Sequence, residues 1–106
     1  MNVIKISIDF SNTPGGRYKS EGNFSGEEFR DKLLYPQILK ASRDNKLTID
    51  FDGCYGFGTG FLEEAFGGLV RKYHLYDIFD KLELISNEDK TLIELVNKYI
   101  EDAIGE

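Results

Sequence analysis

Asp50 and Asp52 stand two residues apart in Thr48-Ile-Asp-Phe-Asp-Gly53, a spacing that puts both carboxylates on one face of an extended chain. Paired carboxylates at a strand end can bind magnesium and place a nucleophile beside it. Glycines at 53, 56, 58 and 60 follow, with Thr59 among them and an apolar run after them. Such glycines allow backbone angles that other residues resist, and they leave amides exposed at a helix N-terminus, where an anion or phosphate is favoured. They serve equally as a tight strand-to-helix turn with Thr59 as its cap.

The remaining chemistry-bearing residues are sparse. No Gly-Lys-Ser/Thr ending and no dinucleotide-type order of glycines occurs, so no nucleotide cofactor is expected. Cys54 is the single cysteine and reads as a small buried residue; it can form no intrachain disulfide, and no Cys/His spacing suggests zinc. His74 is the single histidine, with no Ser or Cys nucleophile at hand, and reads as a helix end. No catalytic residue, metal ligand or cofactor is assigned.

Bulk properties narrow the class. A length of 106 residues suits one domain, 1–106, with one core. The net charge of −6, with Lys and Arg spread along the chain, would repel a phosphate backbone, so nucleic acid is not the expected partner. The N-terminus MNVIKISIDF lacks the layout of a signal peptide, and no segment reaches the ~20 apolar residues of a membrane span. A cytoplasmic protein without membrane attachment is the expectation.

Ile4, Ile6, Ile8 and Phe10 alternate with polar residues and predict a first strand. A short second strand is expected near Arg17 to Ser20, between glycine-containing turns. Arg17 and Lys19 there read as solvated charges or as contacts to an anion or acidic partner. Ser25 and Glu28 form a capping-box pattern, with Phe24 and Phe29 as a staple, and open a helix predicted over about 26–43 and bent at Pro36. Leu47, Ile49 and Phe51 mark a central strand. Phe61, Leu62, Ala65, Phe66, Leu69, Val70 and Tyr73 recur at helical spacing. Gly67 and Gly68 sit inside that second helix at a cost of about 1 kcal/mol each relative to Ala, which implies close approach of the sheet or of a partner. A short helical turn within Leu75 to Asp80, a strand over Leu82 to Ile85 and a last helix capped by Ser86 or Asn87 complete the order β-β-α-β-α-β-α. Because the strands alternate, the expected α/β fold has a mixed sheet of four strands with helices on one face.

The glycine-rich block and the segment Gly16-Arg-Tyr-Lys-Ser-Glu-Gly-Asn-Phe-Ser-Gly-Glu-Glu-Phe29 together resemble the hallmark segments of a family of uncharacterised bacterial and phage-associated proteins described as STAS-like, related to the anti-sigma-factor antagonists. The likeness covers nearly the whole chain. In the antagonists the corresponding turn carries a Ser that a kinase of the histidine-kinase ATPase fold phosphorylates, and the helix it opens docks on that kinase. By resemblance Asp50-Phe-Asp-Gly53 falls on the strand end, Gly58 on the Asp of the turn, Thr59 on its first Ser and Gly60 on the phosphorylated Ser. Gly60 has no hydroxyl, which leaves Thr59 as the one hydroxyl of the turn, either a phosphoacceptor or a plain cap.

The resemblance implies a non-enzymatic regulatory module that binds a protein through the turn and the start of the second helix, with Asp52, Tyr55, Phe57, Thr59 and Phe61 as the contact residues. Tyr55 and Phe57 read equally as interface anchors and as plugs over the sheet end. Two alternatives stand beside this. Ile49-Asp-Phe-Asp-Gly53 also resembles the Asp-x-Asp motif of haloacid-dehalogenase-type phosphatases, which implies a magnesium-dependent enzyme, although the motif lies mid-chain and those enzymes are longer. The other is a phage-encoded inhibitor of a host protein.

Overall fold

In the computed structural model, which describes residues 2–106, strands β1 (Val3–Lys5), β2 (Leu47–Asp50) and β3 (Leu82–Ile85) run parallel in the order β1-β2-β3. Ile4, Ile49 and Leu84 lie abreast, as do Lys5, Asp50 and Ile85. Ile4, Ile49, Leu47 and Leu82 are buried, while Val3, Thr48, Lys5, Asp50 and Glu83 are exposed or half-buried. One face therefore meets the core and the other stays polar, as the alternation in the sequence requires.

The sheet differs from expectation in two respects. It has three strands, all parallel, rather than a mixed set of four. The segment expected as a second strand instead makes a 3-10 turn at Lys19–Glu21, where Glu21 accepts the backbone N–H groups of Arg17 and Tyr18, each at 2.8 Å. A carboxylate at this spacing satisfies two amides locally and removes the need for a partner strand. The first strand also ends early. Ile6–Asp9 turns into one helical turn, Asp9 accepting the Lys5 N–H at 2.8 Å, so Ile6 is buried while Ile8 is 75% exposed.

Helix α1 spans 26–38, ending before the predicted 43, and begins as Gly26–Phe29. Ser25 Oγ accepts the Glu28 N–H at 3.0 Å, and Glu28 reaches back to the N–H of Phe24, one residue before the expected one, at 3.2 Å. The staple is bridged: Phe10 packs edge-on against both Phe24 and Phe29, with centroids 5.4 and 5.3 Å away. Pro36 is accommodated without a break because the ladder widens to a π-helical turn over Arg30–Leu34, the N–H of Tyr35 donating to the carbonyl of Arg30.

Helix α2 spans 59–73 and widens in the same way over Glu63–Gly67. It ends at His74, whose left-handed backbone (φ 56°) lets its N–H donate to Val70 O at 2.8 Å. Helix α3, Thr91–Ile104, presents Val96, Ile100 and Ala103 to the core. It starts later than the predicted caps: Asp89 Oδ1 accepts the Thr91 N–H at 3.1 Å, and Ser86 Oγ donates to Asp89 O at 2.5 Å in the preceding turn. In the helical layer α2 lies between α1 and α3, in contact with both.

The two widened segments face each other. Buried Arg30 of α1 donates to Glu64 of α2 and also pairs with Asp31 at 2.8 Å, while Glu63 takes Arg17 at 2.6 Å and Arg71 at 2.5 Å. Asp31 further accepts from Tyr73 Oη at 2.8 Å and Lys72 at 3.2 Å. The acidic partner of Arg17 is thus within the chain. The interior glycines are explained here rather than at the sheet. A Cβ on Gly68 would lie 2.7 Å from Glu64 Oε2 and 2.8 Å from Arg30 Nη1, and one on Gly67 would lie 2.5 Å from Glu63 Oε2.

Candidate functional site

The chain leaves β2 at its carboxyl end through Phe51, which is buried, and turns at Gly53, where φ is +93° and a Cβ would meet Ser7 Oγ at 2.8 Å. Glycine is required there by both backbone angle and space. The two aspartates are held by separate sets of partners. Asp50 accepts from Lys5 Nζ at 3.3 Å and from the Asp52 N–H at 2.9 Å. Asp52 accepts from the backbone N–H groups of Glu88 and Asn87, both at 2.9 Å, and from Asn87 Nδ2 at 3.1 Å. The Glu88 N–H, followed by the Asn87 amide and backbone, keeps the Asp52 carboxyl below its usual range. Among the described residues no group of three His, Cys, Asp or Glu side chains converges as a metal site.

Beyond Gly53 the turn is fixed through its backbone. Gly53 N–H donates to Glu88 Oε1 at 2.6 Å and Tyr55 N–H to Asn12 O at 2.9 Å. Cys54 is half-buried, its thiol donating to Ser11 O at 3.5 Å, and burial pushes its pKa up. Between this turn and the segment after β3 lies a cavity of about 340 Å³. Its position, outside the carboxyl ends of parallel strands, is where ligands of open α/β sheets characteristically bind.

The five residues singled out from the sequence fall into different environments. Tyr55 is 86% exposed at the tip of the turn. Phe57 is half-buried, edge-on to Phe51 at 5.4 Å and tilted against Phe61 at 5.9 Å, so it closes the end of the core. Phe61 is fully buried among aromatic rings and belongs to the core, a correction to its expected place on the contact surface. Its ring packs on Phe10, Phe29 and Phe57, and the backbones of α1 and α2 meet so closely beside it that a Cβ on Gly26 would lie only 2.4 Å from Phe61 O. Asp52 lines the cavity. Thr59 is exposed and is not the helix cap; Gly58 occupies that position and Thr59 is the first helical residue, with no capping bond from its side chain.

Ser86, Glu88, Asp89 and Leu92, which complete the cavity, were not singled out from the sequence. Their one signal is position, since a segment that follows a parallel strand emerges at the same sheet end as the turn after its neighbour. Residues 25–92 match the family model described as a STAS-like domain of unknown function (DUF4325). The chain belongs to this family. The match takes in α1, β2, the turn, α2, β3 and the first residues of α3, so the STAS-like unit includes both walls of the cavity. No curated protein and no solved structure gives a match. Among the described residues of this STAS-like domain no helix is long and apolar enough to cross a membrane.

Proposed function

We propose that this STAS-like domain is a non-enzymatic regulatory module that docks a protein partner through the turn at 53–58 and the first turn of α2. The observation that carries the reading is Tyr55: a large aromatic side chain, 86% exposed, on a backbone pinned by its N–H to Asn12 and by neighbouring Gly53 to Glu88. An aromatic ring carried on a fixed backbone has large area to bury on binding without a loop having to be ordered first, which is what an interface anchor needs. Phe57 shields the core beneath it and Asp52 holds the facing segment, so these two support the surface rather than form its tip. The Tyr55-dependent contact is checked by affinity capture from the native host, then by calorimetry with the purified partner. Tyr55→Ala is expected to weaken binding about tenfold or more; equal affinity for both forms would overturn the proposal.

The same reading takes Thr59 as a phosphoacceptor and a kinase of the histidine-kinase ATPase fold as the partner. The support is that the Thr59 hydroxyl is exposed, uncommitted to a cap and at the positive end of a helix, where added phosphate is favoured. Mass spectrometry of protein from its native host should find phosphate on Thr59; an unmodified Thr59 in all growth conditions would remove the switch and leave the docking role standing.

A further inference from the structure

We propose that the cavity at the carboxyl ends of β2 and β3 receives a cationic side chain, an arginine or lysine, presented by the protein partner. This rests on the docking role of the turn and adds the chemistry of the group recognised.

The volume of about 340 Å³ sits near the lower end of ligand clefts, which run from about 300 to 1,000 Å³, and suits one long side chain. One wall is aromatic. Half-buried Phe57 and exposed Tyr55 supply its accessible rings, with buried Phe51 packed edge-on behind Phe57 at 5.4 Å. Aromatic faces attract a guanidinium or ammonium and cover its alkyl stem.

Three acidic residues line the same space, Asp52 from the turn itself and Glu88 and Asp89 from the facing segment, and no Lys, Arg or His among the described residues does so. Each carboxylate is oriented by neutral donors: Asp52 by Asn87 and Glu88 N–H, Glu88 by Gly53 N–H, Asp89 by Thr91 N–H. Neutral donors fix the direction of a carboxylate without cancelling its charge. The nearest cation acting on Asp52 is Lys5, whose ammonium is held by Asp50 and by the Asp52 carbonyl at 3.2 Å rather than by the Asp52 carboxylate. A phosphate or carboxylate entering here would be repelled by three like charges, and an apolar group would strip them of water at a cost of about 1–3 kcal/mol for each group left unpaired. A cation satisfies rings and carboxylates at once, and the net charge of −6 would draw a basic partner from a distance.

The test is a titration of the full-length, ¹⁵N-labelled protein with N-acetyl-arginine amide and N-acetyl-lysine amide at low salt, with N-acetyl-glutamine amide as the neutral control. Saturable shifts are expected at the amides of 54–57 and 86–92 with the two cations and not with the control. Glu88→Gln and Asp89→Asn keep the acceptor oxygens and should each weaken the cation response about three- to tenfold. No saturable shift with either cation, or an equal response to the glutamine derivative, would overturn the cation site. If Tyr55 still governs partner affinity in that case, the docking surface stands without the pocket; a saturable cation response with no Tyr55 dependence would retain the pocket and remove the docking surface.

Discussion

Arg30 and Glu64 form a buried ion pair across the contact between α1 and α2, each leaving its helix where the ladder widens to five residues, with side-chain exposures of 5% and 12%. Charges removed from water to this extent need partners, and the network supplies more than one: Asp31 at 2.8 Å for Arg30, and Arg17 at 3.6 Å and Arg71 at 3.7 Å for Glu64. The widened turns shift each side chain relative to an ordinary helix and leave room for the pair, and Gly68 keeps that space open.

Removing one partner should therefore be costly. Arg30→Met is expected to lower the unfolding free energy by about 1–3 kcal/mol, because Glu64 loses its hydrogen-bonded partner and keeps only the more distant Arg17 at 3.6 Å and Arg71 at 3.7 Å. The double variant Arg30→Met/Glu64→Leu should recover most of that loss. Urea denaturation of the four proteins of the cycle measures both effects, and a double variant as unstable as the sum of the singles would contradict this account.

The glycines should rank by what a methyl group would strike. At Gly26 it meets the rigid backbone of Phe61, with the oxygen at 2.4 Å and Cα at 3.0 Å, so Gly26→Ala should cost about 1–3 kcal/mol. At Gly67 it meets the carboxylate end of Glu63, a flexible side chain that can move aside only by loosening its bonds from Arg17 and Arg71. Gly67→Ala should therefore cost less than Gly26→Ala, the loosened ion pairs being offset in part by about 1 kcal/mol of helix propensity. Thermal denaturation of the two variants gives the order directly.

Acid should weaken the same network. Burial opposes ionisation of Asp31, yet hydrogen bonds from Arg30, Tyr73 and Lys72 outweigh it and hold its carboxyl far below the ordinary 3.8. Glu63 lies below the ordinary 4.5, chiefly through its hydrogen bond from Arg71. Both folded-state values are depressed, so their stabilisation is complete above the unfolded values and is lost as pH falls through the folded ones. Stability measured in urea should be level from about pH 6 upward and fall below about pH 5. Asp31→Asn should fall less steeply in that acid range; an unchanged slope would show that Asp31 is not one of the groups responsible.

The three helices were legible because each carries an apolar stripe long enough to outweigh local ambiguity, as the run from Phe61 to Tyr73 does. The cap at Ser25 was legible because it uses neighbours in sequence. The alternation of Ile4, Ile6, Ile8 and Phe10 misled because a strand needs a pairing partner as well as a period, and β2 pairs only with Val3 to Lys5. Beyond it, Asp9 captures the Lys5 amide and a helical turn follows. The cavity depends on the segment after β3 meeting the turn after β2, a relation set by strand order. Phe61 looked like a surface residue because it follows the turn closely, and it is the rings of Phe10, Phe29 and Phe57, from three separate segments, that bury it.

That difference between neighbouring aromatics separates stability from binding. Phe61→Ala removes a fully buried ring packed on Phe29 and Phe57 and should cost about 3–5 kcal/mol. Phe57→Ala should cost less, since its ring is half-buried and solvent can enter part of the space it leaves. Tyr55→Ala removes a ring with little contact to the rest of the chain and should change stability by no more than about 0.5 kcal/mol. Partner affinity should follow the opposite order once each variant is assayed at a temperature where it remains folded, with Tyr55→Ala the most impaired. If affinity instead tracks stability across the three, the contact surface lies elsewhere and the ring at 55 is a bystander.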